Sequence, residues 1–296
     1  MSLFPNKEGI LNVTAQQAAE RLAARVLPLR SGPERVGPQG NRPFFVSGMN
    51  AGEFALAESD DAASLGVIAG VSVYHVGWRQ TPVFASTELM SVTRAEQEVR
   101  RLALARLEAE AVRLGAHGVV GVTLQQRRLV KDSLEISAAG TAIRLTQGEP
   151  PPRPFLCTLS ASEFWTLRRA GYRPCGIALG ACVFYYVESY PARDLRFTRS
   201  KRHLGRKGSG GMELSECSET VRQTRETALR RLSQGVSVGI AEGVIGLSLE
   251  QTTEALPTED DFYRKRLIVR VISTGTAVAA HRDRWPLIDY AVPLSG

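Results

Sequence analysis

The stretch Leu114–Leu124, LGAHGVVGVTL, decides how this chain reads, because it returns in altered form at Gly239–Leu249 as GIAEGVIGLSL. Gly118, Val119 and Gly121 meet Gly243, Val244 and Gly246 after 125 residues. In both places a helical pattern precedes the stretch and a Gly-Thr-Ala triplet follows it, at 140–142 and 275–277. Upstream, RPFFVSGMNAGEFAL (42–56) is echoed by RPFLCTLSASEFWTL (153–167), so Glu53 and Phe54 meet Glu163 and Phe164. Gly66 and Gly70 meet Gly176 and Gly180 at the same offset of 110. Matched landmarks in unchanged order mark an internal repeat.

Each copy reads as strand, helix, strand, strand. FFVS, from Phe44, is a short strand candidate. Leu65–Val76, LGVIAGVSVYHV, is apolar and β-branched, a buried strand in which Gly70 marks a bulge or a close backbone approach. A helix is expected from Arg94, with Thr93 and Glu96 spaced as a capping box. Val99, Ala103, Leu107, Ala111 and Leu114 form its apolar stripe, and Gly115 ends it. Gly118–Leu124 and Ser133–Leu145 follow as strands. In the second copy Val221, Ala228 and Leu232 continue the stripe, while Gly235 blurs its end.

The expected fold class is α+β, with two tandem antiparallel sheet-plus-helix modules at 44–146 and 154–281. A short helix at Thr14–Leu27 and a linker occupy 1–43, and a proline-rich linker, 147–153, separates the modules. A tail, 282–296, has Trp285 and Leu287 to pack back with. The chain has 296 residues, 43% of them hydrophobic, enough to bury real cores. It has no apolar run of the ~18 residues that span a bilayer, and MSLFPNKEGILNV does not read as a signal peptide. A cytoplasmic protein with four reduced cysteines, Cys157, Cys175, Cys182 and Cys217, is the expectation.

LGVIAGVSVYHV, an amphipathic helix, LGAHGVVGV and a strand ending AGTAI together resemble the YbjQ family, small bacterial proteins named for heavy-metal binding but without an established activity. The resemblance covers 44–146 clearly and 154–280 more faintly. It implies a curved antiparallel sheet with one helix packed on it, and assembly of such units into a homo-oligomeric ring, usually of five. Its name also implies a transition-metal ion as cofactor.

Metal, polyanion and catalytic chemistry each have candidates. Soft metals need converging thiolates or imidazoles. His117 aligns with Glu242, and either residue can ligate. Cys175 and Cys182 lie seven apart on one strand, so an undistorted strand sends them to opposite faces. Neither cysteine recurs in the first copy, and no CxxC or HExxH pattern accompanies them. The chain carries a net charge of +7, and its basic character is concentrated in RFTRSKRHLGRKGSGG (196–211). There Arg196, Arg199, Lys201, Arg202, Arg206 and Lys207, with Arg193 just before, suit nucleic-acid phosphates. The same pattern suits a solvated loop. For catalysis the sequence offers only the recurring Glu53 and Glu163, with no nucleophile elbow or dinucleotide fingerprint. The residues favour a non-enzymatic oligomeric binding or scaffold protein, with polyanion binding and an inter-subunit enzyme as alternatives.

Overall fold

A computed structural model describes residues 46–59, 62–76, 85–128, 133–146, 148–190, 192, 213–236, 241–256, 265–280, 285 and 287. The expected helix at 14–27, the linker before 44 and the basic stretch lie outside the described residues, as does most of the tail.

The protein is a mixed α+β fold. Its elements run α1 (Ala51–Ser59), β1 (Ala62–His75), β2 (Thr87–Glu88), α2 (Met90–Arg113), β3 (Gly118–Arg128), β4 (Ser133–Leu145), β5 (Phe155–Leu156), α3 (Ala161–Arg169), β6 (Tyr172–Val187), α4 (Ser215–Val236), β7 (Gly243–Ala255) and β8 (Arg266–Ala280). One sheet has the order β1-β4-β3-β5 and the other β2-β6-β8-β7. The long strands pair antiparallel. Register irregularities fall between Ser64 and Gly66 and between Pro174 and Gly176, again 110 residues apart. A second pair, Val120/Thr123 and Ile245/Ser248, is 125 residues apart. The FFVS candidate is not a strand where it is described: Val46 and Ser47 are irregular, with Val46 O accepting from Val67 N.

The helix stripe forms as its period dictates. Val99, Ala103, Leu107 and Ala111 are fully buried, and burying each larger side chain is worth about 1.5–3 kcal/mol. On α4 the buried residues are Thr224, Ala228, Leu232 and Val236, at the matching positions. Gly70 and Gly180 let each helix approach its strand. A Cβ at Gly70 would strike Ala103 O and Leu107 N, and one at Gly180 would strike Ala228 O and Leu232 N.

The helix start at Arg94 is corrected by the structure. α2 begins at Met90 with Leu89 as a cap that makes no side-chain bond. Thr93 and Glu96 are buried in the helix and used elsewhere. A true capping box stands at Ser160–Glu163, with Glu163 N donating to Ser160 Oγ at 3.3 Å and Ser160 N to Glu163 Oε2 at 2.8 Å. Asn50 and Glu53 make the same reciprocal pair at 3.0 and 2.9 Å. Glu53 and Glu163 are therefore helix caps, which accounts for their recurrence without chemistry.

α2 lies between the two sheets. Its apolar stripe rests on β1, and a second face, including Val92, shares a core with Ile177, Val183 and Tyr185 of β6. α4 covers the far side of the second sheet, giving layers in the order sheet, helix, sheet, helix. Phe155 anchors the other side of the junction. Its ring stacks on Phe164 at 5.2 Å and on Trp285 at 5.3 Å, so the tail does pack back through Trp285. Arg173 sits 4.6 Å from the Trp285 centroid.

Candidate functional site

The metal candidates do not come together. His117 and Glu242 occupy matching turns: His117 N donates to Ile143 O at 2.9 Å and Glu242 N to Val278 O at 2.8 Å. His117 Nδ1 accepts from Leu145 N at 3.2 Å, so that nitrogen is already engaged. Burial, then the nearby Arg144 charge, hold its imidazole below the ordinary value. Cys175 and Cys182 share one face after all. The irregularity at Pro174/Gly176, where Gly176 has φ 142, shifts the alternation. Cys175 packs with Leu232 and Val236 and Cys182 with Ala228, both beneath α4. Seven strand residues still separate them by roughly 23 Å, too far for one ion. Burial pushes both thiols up to about 12. Among the described residues no three His, Cys, Asp or Glu side chains converge on a metal-sized point. These donors do not fit a soft-metal centre. Arg196, Arg199, Lys201, Arg202, Arg206 and Lys207 lie outside the described residues.

A buried polar cluster stands instead at the junction between the two sheets. Glu96 of α2, 1% exposed, is held by Arg100 Nη1 at 2.6 Å and forms an ion pair with Arg270 Nε of β8 at 2.7 Å. Arg100 Nη2 also donates to Gln126 Oε1 at 2.8 Å. Beside this cluster Leu89 N donates to Val183 O, and Val183 N donates to Thr93 Oγ1 at 3.0 Å. Glu88 takes both guanidinium nitrogens of Arg231 from α4, at 2.5 and 3.0 Å, while Arg231 also donates to Ala181 O at 2.9 Å. Burial pushes the Glu88 carboxyl up, but the bonds from Arg231 and Thr93 outweigh it and leave it below its usual value. A parallel seam completes the junction. Cys157 N donates to Val119 O, Val122 N to Cys157 O and Gly121 N to Leu159 O. These hydrogen bonds and ion pairs tie α2 and β2 to β6, β8 and α4 across a buried contact. The Cys182 thiol, which burial pushes up to about 12, lies against the Glu88 carboxylate.

The two ends of the layered stack are open. Val67, Val71 and Val73 of β1 are 43, 43 and 56% exposed, whereas Ile177, Ala181 and Val183, their counterparts 110 residues on, are buried. Ile245, Leu247 and Leu249 of the edge strand β7 are exposed, whereas the matching Val120 and Val122 are buried. An open hollow of about 400 Å³ lies on the β1 side, lined by Gly48, Met49, Val67, Thr141 and Ser160 among others. Sequence reasoning missed these surfaces. The signal for one of them was present, as valine at every second or fourth position of β1 on the face away from Gly70.

Residues 65–146 match a family model described as "putative heavy-metal-binding", the YbjQ family. A UPF0145 protein of Pseudothermotoga lettingae is 32% identical over 87 residues, covering 28% of this chain and 82% of that protein. This chain belongs to the UPF0145 (YbjQ) family. Another family member, from Thermus thermophilus, is 45% identical over 58 residues, 20% of this chain and 51% of that protein. A longer relative is the encapsulin nanocompartment protein Rv1762c of Mycobacterium tuberculosis, 31% identical over 242 residues, 79% of this chain and 88% of that one. No helix among the described residues is long and apolar enough to cross a membrane.

Proposed function

We propose that this UPF0145 protein is a non-enzymatic, self-assembling scaffold built by tandem duplication of one strand–helix–strand–strand module. It works in the cytoplasm, as part of or alongside a protein nanocompartment. The observation that carries the reading is the open valine face of β1, whose counterparts on β6 are fully buried within the same chain. Exposed apolar surface of this kind marks an interaction site. The duplication is supported by the two sheets' matching strand orders and matched irregularities. The nanocompartment role is supported by the name of the Mycobacterium tuberculosis relative, whose match at 242 residues is longer than either module. Protonated, separated thiols and an engaged His117 Nδ1 support a role without a resident soft metal.

Light scattering of tag-free protein, with elemental analysis of the same peak, tests this. The expected result is a metal-free assembly whose mass is a multiple of the 32.2 kDa chain. A monodisperse 32.2 kDa monomer at micromolar concentration refutes self-assembly, and stoichiometric metal refutes the metal-free part. Co-sedimentation with purified encapsulin shells tests the nanocompartment role, which fails if the protein stays in the supernatant.

A further inference from the structure

The junction inside the chain is a template whose two halves also exist, unused, at its ends. Leu89, Val92, Thr93, Glu96 and Arg100 of the first module bury themselves on the second sheet. Their counterparts 125 residues on are Leu214, Cys217, Ser218, Val221 and Arg225. On these counterparts Leu214 is 42% exposed, Ser218 and Arg225 are exposed, and Cys217 and Val221 are half-buried. They line a shallow groove along α4. The surface that receives the first set is β6 with Arg270 of β8; its counterpart is the open face of β1 with Glu135 of β4.

The charges complement each other position by position. Glu88 bridges to Arg231 inside the chain, and their counterparts are Glu213, which is exposed, and Arg106. Arg106 already donates to Val71 O as Arg231 does to Ala181 O. Burial lowers the Arg106 pKa, whereas the Glu88 hydrogen bond raises that of Arg231, so Arg106 is a partly desolvated cation in the position of an ion-paired one. Where Glu96 of α2 faces Arg270, the open ends carry Val221 with Arg225 on one side and Glu135 on the other. The charge order is reversed, with the cation now on the helix and the carboxylate on the strand.

The backbone edge matches as well. The segment 155–159 lies on its own module, with Thr158 N donating to Thr276 Oγ1 at 2.9 Å, and offers its other edge to β3. Gly48 N donates to Thr141 Oγ1 at 3.1 Å in the same way, placing 46–49 on the open side of the first sheet. The edge of β7 that would take such a segment is unpaired among the described residues. A Cβ at Gly118 would collide with the Phe155 ring, while one at the matching Gly243 meets open space.

We infer that the α4 groove and β7 edge of one copy dock on the β1 face and 46–49 segment of a second copy, head to tail, with Glu213 paired to Arg106 and Arg225 to Glu135. This deepens the scaffold reading and rests on it. Such a contact joins unlike surfaces, so its repetition closes a ring or extends a fibre. It would bury Val67, Val71 and Val73 as Ile177, Ala181 and Val183 are buried.

Light scattering of charge variants and a cross-link test the docking. Glu213→Arg should raise the concentration for half-assembly at least tenfold, and adding Arg106→Glu should recover most of that loss. Gly243→Leu should leave the circular dichroism of the chain unchanged yet abolish assembly. With Cys217→Ser as background, Val73→Cys plus Leu214→Cys, oxidised with copper phenanthroline in air, should give a ladder of 32.2 kDa multiples on a non-reducing gel. Wild-type protein that assembles while all these variants assemble equally, with no ladder, overturns this docking and leaves the scaffold reading standing. A monomeric wild type overturns both.

Discussion

Replacing Glu96 by glutamine removes the carboxylate that Arg100 and Arg270 share at the centre of the junction. Glu96, Arg100 and Arg270 are 1, 2 and 8% exposed, so water does little to compensate a lost partner. Glu96 meets Arg100 at 2.6 Å and Arg270 at 2.7 Å. Breaking a buried ion pair by removing one partner costs about 3–5 kcal/mol, because the surviving charge stays buried. Two surviving guanidinium groups put Glu96→Gln at the upper part of that range. Glu98→Gln is the control on the same helix. Its pair with Arg101 has side chains 38 and 35% exposed, where such pairs are worth about 0–1 kcal/mol. The assay is urea unfolding at fixed protein concentration, since assembly couples to stability. A Glu96→Gln cost below about 1 kcal/mol, or equal to that of Glu98→Gln, would refute the claim that the junction is buried and charge-paired. The double variant Glu96→Met with Arg270→Met should recover part of the loss, because an apolar pair of similar volume leaves one fewer charge stranded.

Other outcomes follow from the same contacts. Phe155→Ala should cost about 3–5 kcal/mol in the same urea titration, as it empties the space between Phe164 and Trp285. Gly180→Ala should cost about 1–3 kcal/mol, because its Cβ meets helix backbone that cannot swing away. Gly148→Ala has open space but φ 87, so its smaller cost should reflect backbone strain alone. With maleimide at pH 8, Cys157, Cys175 and Cys182 should stay unlabelled in the native chain, since burial raises each thiol from 9.0 to about 12. The linked stability is fully present below pH 9, where unfolded thiols are still protonated. It falls from about pH 9 to 12 as the unfolded state loses protons first, by up to about 1.4 kcal/mol per thiol per pH unit. Flat stability across that range would contradict the burial.

The sequence by itself determined whatever depends on local period and on spacing. The stripes at Val99, Ala103, Leu107 and Ala111 and at Ala228 and Leu232 are read from a 3.6-residue period, and the core buries them. Gly70 reads as a bulge or a close backbone approach, and it is the approach that the structure shows, with α2 backbone filling the space. The paired landmarks set irregularities at matching spacings, 110 and 125 residues apart, in the two sheets. Tertiary structure decided the uses that involve distant partners. Thr93 and Glu96 have the spacing of a cap, but β6 and Arg270, more than eighty residues away, claim both side chains. Cys175 changes face because of a one-residue irregularity that period-two reasoning cannot see. Glu88 and Glu213, or Val71 and Ala181, occupy aligned positions of the sequence, yet one of each pair is covered and the other open. Sequence pattern fixes which faces are apolar, whereas burial depends on which neighbour the chain supplies, and here α2 covers β6 while the outer face of β1 stays exposed.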